Sequence, residues 1–271
     1  MIVMLSFMIV FTACGTRKSE SLIFVNIPAE DAESEVKNWQ PFMDYLSTAL
    51  GKPVELLFVT DYAAATEALK YGHADIVRYG SSSYVLAEQE VDIIPIASIA
   101  NDDGALMSYQ SYIITRADSG IISLEGATFA YVDIGSTTGY LLPATYLKKN
   151  NIELGKVFYA GSHPAVIEAI KNGTVDAGAI ASTRWVAAVE QGVIEADELH
   201  ILWKSLLIPR GPMVVHADMP VELRQAITDA LINAPPDIVA QCNLDSNRFG
   251  PAPPDVYEPI REAQRYLGLN E

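Results

Sequence analysis

Residues Gly135-Ser136-Thr137-Thr138-Gly139 place three consecutive hydroxyls between two glycines, after the apolar run FAYVDI and before a helix-like pattern. Free N–H groups at a helix start, the helix dipole and clustered hydroxyls together complement a tetrahedral oxyanion. No Lys follows, and the spacing is not that of a nucleotide-binding P-loop. The alternative is a plain N-cap at Ser136 with two solvated threonines. Pro143 has no N–H, so it must bend the following helix or stand in its first turn. A second hydroxyl cluster, Ser81-Ser82-Ser83, follows Arg78-Tyr79-Gly80. It either caps the helix SYVLAEQE or faces a ligand, and Ser81 is the further candidate contact. Arg78 lies inside an apolar strand pattern and is expected to meet an acid or reach the surface, because a buried unpaired charge is costly. Tyr62 and Tyr109 stand beside turns, where an apolar ring with a polar tip suits a half-buried cleft. His163, in Ser162-His163-Pro164, opens a helix and either donates to an anion or stays solvated.

Other chemistries find no support. Residues 73, 163, 200 and 216 are the only histidines, and they lack metal-ligand spacing. There is no G-x-S-x-G elbow, no cysteine with a histidine partner and no carboxylate pair set apart by its surroundings. The reading is a binding protein without catalytic residues, metal or cofactor. A net charge of −16 argues against nucleic acid or an anionic membrane surface as the main partner. A local nest of N–H groups still suits a small anion.

Short apolar runs (LIFVNIP, VELLFV, ADIVRYG, TFAYVDIG, KVFYAG, VDAGAIA) alternate with helical patterns, with Asp61 placed to cap one of them. That alternation indicates α/β layers with mostly parallel sheets. The segment beginning at Thr66 also aligns without gaps on that beginning at Ile167, with Ser82 falling on Thr183. Glu67-Ala68, Lys70, Gly72, Asp75 and Ser81 match Glu168-Ala169, Lys171, Gly173, Asp176 and Ser182. Each copy reads as a helix, a glycine C-cap and a strand ending in hydroxyls. Ligands bind beyond the carboxyl ends of such strands, so two lobes presenting these ends to each other would form a cleft.

The opening residues MIVMLSFMIVFTACG form a short apolar segment followed by small residues and Cys14. This resembles a bacterial lipoprotein signal, with Cys14 lipidated. Cys242 would then have no intramolecular partner.

Several stretches resemble the substrate-binding proteins of phosphate/phosphite/phosphonate ABC transporters. FVNIPAEDAESEVKNWQPF resembles their opening strand and W-x-P-F helix, and TDYAAATEALKYGHADIVRYG their D-Y-A helix and next strand. Tyr109-Gln110-Ser111 matches the Y-x-S hinge strand, and Asp133 to Gly139 the D-x-x-S-T-S-G loop. GSHPAVIEAIKNGTVDAGAIA and WKSLLIPRGPMVV continue a collinear match from about Phe24 to Leu267. The resemblance implies a type II periplasmic-binding-protein fold: two α/β lobes, each a mixed, mostly parallel sheet flanked by helices, joined by two hinge strands. Residues 1–20 would be signal and tether, 21–113 plus 208–271 the first lobe, and 114–207 the second. Tyr62 and Tyr109 would contact the ligand from the first lobe; Ser136, Thr137, Thr138 and His163 would grip its phosphorus-bound oxygens from the second.

Members that bind aminoethylphosphonate use two acidic side chains for the ammonium. The matching positions here are Thr183 and Gly211, so phosphite, phosphate, hypophosphite or an alkylphosphonate without an amine is the expected ligand. Thr138 stands where the family often has Ser, and its methyl narrows the pocket. Arg184 and Arg210 flank the same positions and read as rim or surface salt bridges. The implied partners are that small oxyanion, an ABC permease transmembrane subunit and the membrane, through a lipid anchor on an extracytoplasmic monomer. The alternative is a ligand-sensing module working with a membrane histidine kinase.

Overall fold

The computed structural model describes residues 21–27, 32–59, 61–195 and 197–269; the N-terminal apolar segment and Cys14 lie outside them. The chain begins with β1 (Leu22–Asn26), α1 (Ala32–Leu50), β2 (Val54–Phe58), α2 (Tyr62–Lys70), β3 (Ile76–Arg78), α3 (Ser81–Glu90) and β4 (Ile93–Ala100). In α1, Trp39, Phe42, Met43 and Leu46 recur at helical spacing, and all four are buried in one cluster with Phe24 of β1. Asp61 caps α2 by accepting from the Ala64 N–H at 2.8 Å.

The chain then crosses through β5 (Ser108–Tyr109) into a second layer. This consists of β6 (Ser111–Arg116), β7 (Phe129–Tyr131), a π-helical turn (Thr137–Leu141), α4 (Leu142–Lys149), β8 (Val157–Tyr159), α5 (His163–Lys171), β9 (Ala177–Ala181), α6 (Ser182–Glu190) and β10 (Leu199–Lys204). It returns through β11 (Ile208–Pro209) and adds β12 (Pro212–His216), α7 (Val221–Ile232), α8 (Pro236–Ala240), β13 (Arg248–Gly250) and α9 (Glu258–Leu267) to the first layer. Pro143 is the second residue of α4, directly after the π-helical turn.

The first sheet has the order β13-β4-β12-β3-β1-β2 and the second β10-β6-β9-β7-β8. The crossing strands β5 and β11 pair antiparallel with each other, Tyr109 opposite Ile208. Adjacent parallel pairs are β2-β1-β3 and β8-β7-β9. β12 lies antiparallel between β3 and β4, so β1, β2, β3 and β4 share one direction while β12 and β13 oppose it. β6 lies antiparallel between β9 and β10, so it alone opposes the other strands of the second sheet. Each sheet is therefore mixed with most of its strands running one way, as expected. One boundary is corrected: β6 pairs with β9 from its first residue, Ser111 opposite Ala181, so residues 111–113 belong to the second sheet and not to the first lobe.

The internal repeat is a repeated fold unit. α2–β3–α3 and α5–β9–α6 occupy equivalent places, and Gly72 and Gly173 turn the chain with φ of +71° and +68°. Such left-handed angles favour glycine. In both copies an aspartate pins the start of the neighbouring parallel strand. Asp75 accepts from the Ile23 N–H at 2.8 Å. Asp176 accepts from the Thr128 N–H at 2.8 Å and from its hydroxyl at 2.6 Å.

Candidate functional site

Beyond the carboxyl ends of β3, β7 and β9 lies a cavity of about 100 Å³, walled by both lobes and by the crossing strands. Tyr62 from α2 and Arg78 from β3 come from the first lobe, and Tyr109, Arg210 and Gly211 from the crossing. Ser136, Thr137, Thr138, His163, Thr183 and Arg184 come from the second lobe.

The glycine-bounded hydroxyls lie at the start of the π-helical turn and are all buried. The Ser136 Oγ accepts from the Gly139 N–H at 3.0 Å, which caps the turn and leaves its own proton to donate. Thr137 Oγ1 accepts from the Ser82 N–H at 2.8 Å. The first turn of α3 therefore meets the π-helical turn across the cleft, and the Thr137 hydroxyl proton is likewise left to donate. Capping and anion cradling are thus compatible roles of the same atoms. The flanking glycines are steric requirements: a Cβ on Gly135 would stand 2.6 Å from the Tyr62 Cβ, and one on Gly139 2.4 Å from the Val132 Cγ2.

His163 Nδ1 accepts from the Ala181 N–H at 3.3 Å, so the ring proton resides on Nε2. Burial, reinforced by the charge of Arg184, pushes the His163 pKa down to about 3, and the ring is a neutral donor. Burial likewise pushes Tyr62 up to about 12, partly opposed by its hydrogen bond with Ser136. The phenol keeps its proton.

Three arginines, Arg78, Arg184 and Arg210, line the cavity, and among the described residues no Asp or Glu does. Arg78 Nη1 donates to Asn26 Oδ1 at 2.9 Å, and its Cζ lies 5.5 Å from the Trp39 ring centre. A buried amide and an indole face hold this charge, partners that local sequence did not indicate. Arg210 is 7% exposed, donates to Asp245 Oδ1 at 2.6 Å and stacks 4.9 Å over the Tyr109 ring. The surface reading of Arg210 is corrected: it makes a salt bridge, but as a buried residue of the cavity wall, while Arg184 is half-buried and lines the same cavity.

Ser81 is also corrected. It is absent from the cavity wall, and its hydroxyl donates to the Pro209 carbonyl at 2.7 Å. Ser82 Oγ accepts from Gln264, and Ser83 Oγ accepts from the Gly80 N–H. The serine triplet joins α3 to the crossing and to α9 rather than facing a ligand.

A family model described as "ABC transporter, phosphonate, periplasmic substrate-binding protein" matches residues 24–257. The Phosphate-import protein PhnD of Mycolicibacterium smegmatis is 29% identical over 205 residues, covering 70% of this chain and 64% of that protein. The Phosphonates-binding periplasmic protein of Escherichia coli is 28% identical over 232 residues, 82% of this chain and 68% of that protein. The chain thus spans about two thirds of the length of these curated relatives. The structure of PhnD1 from Prochlorococcus marinus in complex with methylphosphonate has the same fold. Its TM-score is 0.83 at 22% identity, over 92% of this chain and 98% of that one.

Proposed function

The chain belongs to the ABC transporter phosphonate periplasmic substrate-binding protein family, and from that premise we propose that it binds a small phosphorus oxyanion between its lobes and delivers it to a membrane permease. It acts as a carrier and catalyses no reaction. The ligand is phosphite, phosphate, hypophosphite or an alkylphosphonate without an amine. Ser136, Thr137, Thr138 and His163 donate to its oxygens from the second lobe, and Tyr62 and Tyr109 complete the site. The carrier is extracytoplasmic and held at the membrane by a lipid on Cys14; no helix among the described residues is long and apolar enough to cross a bilayer.

One observation carries this reading: a cavity of about 100 Å³ whose walls offer hydroxyls, a neutral imidazole and three arginines, with no Asp or Glu among the described residues. Sites for organic ligands begin at roughly 300 Å³, so this one suits a compact ion. An ammonium enclosed beside three arginines would be strongly disfavoured. Gly211 reinforces the point, since a Cβ there would lie 2.1 Å from the Tyr79 carbonyl oxygen and 2.6 Å from the Gly80 Cα. An acidic side chain at that position requires the backbone to move.

Calorimetry and thermal shift against phosphate, phosphite, hypophosphite, methylphosphonate and aminoethylphosphonate test the assignment. Stabilisation that grows with the concentration of an amine-free oxyanion is expected, with Ser136→Ala and Thr137→Val each weakening binding by roughly tenfold or more. Tight binding of aminoethylphosphonate with phosphite inert, or full retention of affinity in both variants, would overturn it.

A further inference from the structure

Arg210 faces the ligand cavity on one side and a carboxylate on the other. Asp245 Oδ1 accepts from Arg210 Nη2 at 2.6 Å, while the Leu244 carbonyl accepts from the same nitrogen at 3.3 Å. The opposite guanidinium face rests on Tyr109. Asp245 is not a wall of the ligand cavity. It lines an adjoining cavity of about 330 Å³, which shares Tyr109, Thr183 and Arg184 with the first and also contains Glu190. The short turn that presents Asp245 is committed to that position, since Asn243 and Asp245 both adopt φ of +55°, an uncommon angle for residues other than glycine. Burial raises the Asp245 carboxyl pKa, opposed by the positive charges of Arg210, Arg184 and Arg78, so this carboxylate lies in the field of all three cavity guanidinium groups.

We propose that Asp245 is a specificity-determining residue: a partly exposed anion behind the buried Arg210 that lowers the cavity's positive potential and so limits its preference for doubly over singly charged oxyanions. This rests on the reading of the cavity as an oxyanion site. Asp245 acts through the field rather than by contact. Asp245 meets water on one side and the buried Arg210 on the other, so its charge is screened only in part, and its interaction with the ligand doubles when the ligand's charge doubles. Arg210 keeps its place without the carboxylate's charge, because Leu244, Tyr109 and an amide at position 245 all hold it.

The test is calorimetry at pH 8 on wild type, Asp245→Asn and Asp245→Glu, using phosphite as a dianion and hypophosphite as an obligate monoanion. Asp245→Asn is expected to tighten phosphite binding by ~10-fold and hypophosphite by ~3-fold, with both gains shrinking in high salt. Asp245→Glu, which keeps the charge, is expected to leave the ratio of the two affinities at its wild-type value. A thermal melt of each unliganded variant separates lost fold from altered field, since a merely structural role would lower both affinities together. An unchanged ratio in Asp245→Asn, or weaker binding of both ions, would overturn the inference while leaving the oxyanion site intact. Failure of wild type and Asp245→Asn alike to bind either ion would overturn both.

Discussion

The imidazole of His163 divides its two nitrogens between the scaffold and the cavity, and this division predicts how stability depends on pH. Nδ1 is held by the Ala181 N–H, and burial keeps the ring neutral down to a pKa of about 3. In the unfolded chain the same ring takes up a proton near its ordinary value, about 6.5. Below that pH the unfolded state binds a proton that the native state refuses. The contribution of the neutral ring is therefore full above about pH 6.5 and is lost as the pH falls toward 3, by at most ~1.4 kcal/mol per pH unit. Calorimetric unfolding between pH 4 and 7 is expected to show this slope in wild type and a flatter one in His163→Gln. Equal slopes would contradict the buried, neutral ring. Gly139 makes a steric prediction of the same local kind. Its missing Cβ lets the turn close against Val132 and the Ser136 hydroxyl, so Gly139→Ala is expected to cost about 1–3 kcal/mol and to weaken oxyanion binding, measured by denaturant melts and calorimetry.

At the level of elements, the repeated helix–strand–helix unit explains both how much of the site was legible in sequence and why legibility stopped. Helix, glycine turn and strand end are encoded within eighteen consecutive residues, so the matched Asp75/Asp176 and Gly72/Gly173 positions could be read directly. The hydroxyl knot at 136–138 was legible for the same reason, as the start of a helix next to its own strand. Arg210 was not. The groups that give it a buried setting, Tyr109 and Asp245, lie far away in the chain and meet it only through the crossing strands. The serine triplet misled in the opposite direction: its hydroxyls are engaged by Pro209, Gln264 and the backbone of Gly80, and two of those three partners are remote in sequence. The strand-pinning aspartates provide a test of the unit itself. Asp75→Ala and Asp176→Ala should each cost about 1 kcal/mol. Because they act in different lobes, their effects should add within about 0.5 kcal/mol in the double variant. A double variant that melts like either single one would show that the two units are not independent.

Across the whole molecule, the two lobes are joined at places other than the cavity, and this links remote residues to affinity. α9 is bound to α3 through Arg261 and Glu88 at 2.5 and 2.8 Å and through the Gln264 contact with the Ser82 carbonyl at 2.9 Å. It also reaches the second lobe, where Lys148 donates to the Tyr266 carbonyl at 3.0 Å and Lys148 and Lys149 lie over the Tyr266 ring at 5.3 and 5.2 Å. Leu141, from the π-helical turn, is buried in the first lobe's cluster with Tyr84, Tyr257 and Ile260. These contacts hold the lobes in the arrangement where Ser82 meets Thr137, and none of the α9 groups lines the cavity. If ligand binds this arrangement in preference to a more open one, its apparent affinity scales with the fraction of molecules already in it. Weakening the strap should therefore weaken binding without altering any ligand contact. Cation–π and exposed polar contacts of this kind contribute about 0.5–1 kcal/mol, so the double variant Lys148→Gln/Lys149→Gln is expected to bind its oxyanion ~2–5-fold more weakly. Small-angle scattering should show a larger radius of gyration in the unliganded variant that returns to the wild-type value at saturating ligand. Unchanged affinity together with unchanged scattering would mean that closure is set at the cavity alone.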